Sequence, residues 1–134
     1  MQNTEVIISG GKLLAYIVKA VTGDPDETTF VTPPELDLQL GFIAHLAGEE
    51  IPRHSHLPFE RGMDGTFEVL VVRKGRCEVD IYDLDQKLAA SADLCTGDIL
   101  VLLEAGHGFR MLEDTVFLEI KRGPYRGHLE KDRF

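Results

Sequence analysis

The chain has 134 residues, 43% of them hydrophobic, and 23 acidic against 14 basic side chains give it a net charge of −9. No apolar run approaches the roughly 18 residues of a membrane helix, and the acidity repels phosphate backbones, so membrane and nucleic-acid partners are set aside. The length suits one domain, residues 1–134, able to bury roughly two thirds of its unfolded surface, with a core over about residues 30–122 and a tail at 123–134. The first twenty residues lack the basic start and continuous apolar centre of a secretory signal, which makes the cytoplasm the expected compartment. Cys77 and Cys95 are expected to stay reduced there.

In chain order, Val6, Ile7 and Ile8 fit a short strand. Residues 12–21 are ambiguous between helix and strand by length, with strand favoured. TGDPDE at 22–27 is a turn, and Pro33 and Pro34 set an extended entry to the next run. Residues 36–46 alternate, with Leu36, Leu38, Leu40, Phe42, Ala44 and Leu46 on one face, which predicts a half-buried strand carrying His45 as a polar residue. A loop through Gly48 and Pro52 then delivers His54 and His56 at the end of a strand-like run. Residues i and i+2 of a strand share a face, so the two imidazoles project side by side.

A long connection at 57–66, LPFERGMDGT, follows. It exceeds the two to five residues of a tight hairpin, which makes it a lid or a subunit contact, and Glu60 and Arg61 are its polar candidates. Glu68 opens the apolar run at 69–72, which ends on Arg73, Lys74 and Gly75 and predicts a hairpin into Cys77, Val79 and Ile81. Further turns at 83–86 and 96–98 bracket a strand through Leu88 to Leu94, and residues 99–103 read as a buried strand. His107 sits in a glycine-bracketed loop at 105–108, before Phe109, Met111 and a last run at 116–120. Strands recurring at about eight to twelve residues without a helix predict an all-β sandwich or barrel.

The spacing of Gly48, His54, His56, Glu68 and Gly75 resembles the first motif of the cupin family, G(X)5HXH(X)3,4E(X)6G. Five residues separate Gly48 from His54 and six separate Glu68 from Gly75, as in that pattern; the eleven between His56 and Glu68 exceed it. GDILVLLEAGHGF at 97–109 loosely matches the second motif, G(X)5PXG(X)2H(X)3N, with Leu103 at the proline position and no asparagine after His107. The tail, EIKRGPYRGHLEKD at 119–132, is similar to the end of small cupin metalloproteins associated with bacterial surface-polysaccharide synthesis. The resemblance implies a jelly-roll β-barrel and one divalent transition metal held by His54, His56, Glu68 and His107. Glu60, with three residues between it and His56, also meets the motif's spacing and competes with Glu68, whose six-residue spacing to Gly75 puts it in strand register.

Three imidazoles and a carboxylate suit Zn, Fe, Mn, Ni or Cu without choosing among them, and leave open positions for water or a chelating ligand. The expected function is action on a small carbonyl or hydroxyl compound such as a sugar or sugar phosphate, in the manner of an isomerase or epimerase. Glu60 is the candidate base and Arg61 the candidate partner of a substrate anion. A non-catalytic metal-dependent binding module and a cupin dioxygenase are the alternatives. A homodimer is also expected, since cupins often pair through sheets, with Tyr125 and Phe134 in the tail packing on a neighbour or on their own barrel.

Overall fold

The structure, a computed structural model, describes residues 3–57, 66–123 and 132–134. Its strands are β1 (Thr4–Ser9), β2 (Lys12–Val18), β3 (Thr29–Phe30), β4 (Gly41–Phe42), β5 (Glu68–Lys74), β6 (Arg76–Tyr82), β7 (Leu88–Cys95), β8 (Ile99–Leu102), β9 (Gly106–Met111) and β10 (Val116–Lys121). The chain divides into two compact units, one of residue 1 with 23–64 and one of residues 2–22 with 65–134. All strand pairings are antiparallel, so the all-β class holds. The strands lie in open sheets, and no closed barrel forms among the described residues.

The larger unit holds a five-stranded sheet in the order β1-β2-β8-β5-β10 and a three-stranded sheet in the order β7-β6-β9. The β1–β2 hairpin turns on Gly10 and Gly11, at φ +59° and +74°, a left-handed pair that glycine takes without strain in a two-residue turn. Alternation along the strands then sends one face of each sheet into a shared core. Ile17, Leu70, Val72, Leu100 and Leu102 come from the larger sheet, and Cys77, Val79, Ile81 and Leu94 from the smaller. Each such side chain, fully buried, contributes about 1.5–3 kcal/mol. Ile7, Leu14 and Ala15 join this core, so it begins well before residue 30.

Several expectations are corrected here. Gly75 does not close a hairpin: β5 pairs with β8 and β10, whereas β6 pairs with β7 and β9. Gly75, at φ +88°, is the corner where the chain leaves one sheet for the other, and a Cβ there would run into the Asp114 carbonyl and the Thr115 hydroxyl. His107 lies on β9 rather than in a loop. In the smaller unit the alternating run at 36–46 yields only β4, paired with β3. Polar side chains there capture the backbone groups a ladder would need. The Gln39 amide donates to the Pro33 and Leu36 carbonyls, and the Thr32 hydroxyl accepts from the Leu40 N–H. Pro33 starts a turn, closed by Leu36 N–H donating to its carbonyl at 3.1 Å, instead of extending the chain.

Asp98, 2% exposed, ties the β7–β8 corner to the segment after β2. One carboxylate oxygen accepts from Ala20 N–H, and the other from Cys95 N–H and from Lys19 Nζ at 2.7 Å. Burial resists ionisation of this group, yet these donors outweigh it and hold its pKa below the ordinary 3.8. At the C-terminus Phe134 packs edge-on against Tyr82, with centroids 5.1 Å apart, on its own chain; Tyr125 falls outside the described residues. No helix among the described residues is long and apolar enough to cross a membrane.

Candidate metal centre

Glu68 is the first residue of β5, placed across from Leu102 on one side and Lys121 on the other. It shares a face with Leu70 and Val72, both core residues, so its side chain enters the space between the sheets at their end. His107 stands across from Ile81 on β9; with Phe109, which packs against the core, it shares the inner face of the opposite sheet. The two meet with Glu68 Oε2 3.4 Å from His107 Nε2, their side chains 24% and 29% exposed. Of the four residues expected to converge, His54, His56, Glu68 and His107, the structure brings Glu68 and His107 together in one unit.

The second ring nitrogen bears on what fits in that gap. His107 Nδ1 lies 3.3 Å from the Ala105 carbonyl, an oxygen that only accepts, so the tautomer with its proton on Nδ1 turns a lone pair on Nε2 toward the Glu68 carboxylate, and the other tautomer donates from Nε2 to Glu68. A second proton on the ring satisfies both oxygens, and in the first tautomer the gap has the donors for a cation. Consistent with that second proton, the Glu68 carboxylate raises the His107 pKa above 6.5; burial opposes this, while the Ala105 carbonyl and the Glu68 and Glu119 charges reinforce it.

The donor set also fits the cation. Metal-bound histidines characteristically donate their other N–H to a carbonyl or carboxylate, which fixes the ring and leaves one nitrogen free to ligate. Donors each about 2.0–2.2 Å from one ion stand roughly 3.0–3.5 Å apart at octahedral to tetrahedral angles, and the observed 3.4 Å falls in that range. By contrast, a charge-assisted hydrogen bond draws nitrogen and oxygen to about 2.7–2.9 Å.

In the other unit His54 repeats the arrangement: its Nδ1 donates to the Pro52 carbonyl at 2.8 Å, again two residues back. His54 and His56 lie edge-on with centroids 5.2 Å apart. They are neighbours as expected, but residues 51–57 form no strand. His45 is engaged elsewhere, its Nδ1 3.1 Å from Glu49 Oε2. Glu60 and Arg61 fall outside the described residues. Among the described residues no group of three or more His, Cys, Asp or Glu side chains stands placed to hold a metal ion; what the structure assembles are two donor pairs.

Sequence reading passed over Glu119 and Lys121. The alternation that puts Phe117 against the core puts these two on the same inner face of β10, with Lys121 across from Glu68 and Glu119 across from Leu70. That period-two pattern in VFLEIK was the available signal. No family model, curated protein or solved structure matches this chain significantly, so its own geometry carries the functional reading.

Proposed function

We propose that this chain is a small jelly-roll cupin that holds one divalent transition metal through His54, His56, Glu68 and His107 and binds a small carbonyl- or hydroxyl-bearing compound, such as a sugar or sugar phosphate. The observation that carries the reading is the His107 ring, both of whose nitrogens face acceptor oxygens, Ala105 O and Glu68 Oε2. When bound, such an ion supplies a Lewis acid that polarises a ligand oxygen. The chain's own part is to hold the donors still: Glu68 at the head of a paired strand, and His107 and His54 locked by backbone carbonyls. Glu60 as base and Arg61 as anion partner complete the proposal from the sequence.

Elemental analysis after purification, with calorimetric titration of Zn2+, Ni2+ and Mn2+, tests the metal. His54→Ala, His56→Ala, Glu68→Gln and His107→Ala should each lose most of the bound metal, while His45→Ala retains wild-type content. Full metal content in His107→Ala would sink the reading. A panel of hexoses and nucleotide sugars then sorts the activity. Product formation marks an isomerase-like enzyme, and a melting shift without product marks a binding module. Oxygen consumption restricted to the ferrous form marks a dioxygenase.

A further inference from the structure

We infer that β10 pairs with β10 of a second copy of this chain, antiparallel about a two-fold axis at Leu118, so that the five-stranded sheets of two molecules join into one. β10 ends the order β1-β2-β8-β5-β10, with β5 as its one hydrogen-bonded neighbour among the described residues. An edge strand presents a row of backbone N–H and C=O groups that another strand can take up. The opposite edge, β1, lies against β7 of the smaller sheet, which leaves β10 as the open one.

The face of β10 turned away from the core defines what the partner has to cover. Val116, Leu118 and Ile120 project from it, 49–54% exposed, where an antiparallel strand facing water ordinarily carries polar residues. Ile120 begins an apolar row that runs through Val69 on β5 and Val101 on β8 to Tyr16 on β2. The last three are at most 5% exposed, so this apolar layer is closed in the middle of the sheet and open at β10. A strand of the same pattern continues it, and β10 matches itself. About Leu118, Val116 meets the partner's Ile120 and Leu118 meets the partner's Leu118. On the other face Glu119 meets the partner's Phe117, so no like charges stand directly opposite, which would destabilise the pair. The same patch serves both copies, as a two-fold interface requires. Its apolar side chains offer a few hundred Å² per copy. With the strand edge itself this approaches the roughly 600 Å² per partner at which specific interfaces begin, the area of a weak dimer that forms in the micromolar range.

Sedimentation velocity from 2 to 200 µM in EDTA and 150 mM NaCl reads the dimer without any contribution from a metal and with the repulsion between two chains of charge −9 screened. Wild type should pass from monomer to dimer within that range. Leu118→Glu sets two carboxylates face to face on the axis and should weaken association at least about tenfold, with unchanged circular dichroism because the side chain points out of the core. Val116→Lys and Ile120→Glu should each weaken it too, and the double variant V116K/I120E should restore it, since each lysine then faces the partner's glutamate. Within one strand these positions stand about 13 Å apart, so the rescue can only come from the second copy. Wild type that stays monomeric to 200 µM overturns the pairing and leaves the apolar stripe to a different protein. Leu118→Glu that associates as well as wild type overturns it by placing the contact elsewhere, and so does a double variant no better than the single ones.

Discussion

At the scale of single residues, His107 decides most. In the metal-free protein its protonated ring is favoured by Glu68 and by the Ala105 carbonyl against the cost of burial. A raised histidine pKa means that this pair's contribution to stability is complete below about 6.5 and is lost as pH rises through the folded value. Proton NMR of chelator-treated protein should show the His107 Cε1–H titrating above 6.5, with Glu68→Gln moving the midpoint down. A wild-type midpoint at or below 6.5 would remove the electrostatic basis of the pair. The identity of this histidine was legible in the spacing after Gly97, but its setting was not, because Gly106 and Gly108 on either side mimic a loop. Gly106 instead makes room for a neighbour: a Cβ there would lie 2.8 Å from the Phe134 ring. Sequence shows that a position is glycine and does not say whether a dihedral or a packing contact requires it.

At the scale of elements, the corners matter more than the strands. Alternation located β5 through β8 and β10, since a face shared with the core leaves a period-two trace. It could not name their partners. A positive-φ glycine serves a hairpin and a sheet-to-sheet corner equally well, which is why Gly75 read as the first and is the second. The run at 36–46 failed for the opposite reason, its alternation being overridden by Gln39 and Thr32 bonding the local backbone. Asp98 is the device that fixes one corner, and its removal should be felt throughout the larger unit. Asp98→Ala leaves the Cys95 and Ala20 N–H groups without their acceptor and should cost about 2–4 kcal/mol in denaturant unfolding. The folded pKa of Asp98 is depressed, so its contribution is present above the unfolded value near 3.8 and is lost as pH falls through the folded one. Wild-type stability should therefore decline below about pH 4 more steeply than that of Asp98→Asn. Parallel acid profiles for the two would count against the role.

At the scale of the whole molecule, the all-β class followed from strands recurring at short intervals between turn residues, and the core followed from their apolar faces. Residues 12–18 join that core although their length alone left helix and strand undecided. What sequence could not supply is the setting of the Glu68–His107 pair, because it depends on two residues 39 positions apart in the chain and on a carbonyl that no side-chain pattern records. At low pH a proton on His107 stabilises the pair, and above the titration of His107 that stabilisation is gone. On the proposed function a metal takes the proton's place, and because metal and proton compete for the same imidazole nitrogen, its binding weakens as pH falls. The melting temperature of metal-loaded protein minus that of chelator-treated protein should accordingly be near zero at pH 5 and grow to pH 8. With free ion at a hundred times its Kd the linkage is worth about 2.7 kcal/mol, on the order of 10 °C for a chain of this size. His107→Ala should flatten the curve, since it removes the ligand and the titrating group together. A wild-type difference that stays constant from pH 5 to 8 would mean that whatever the protein binds is not held by histidine.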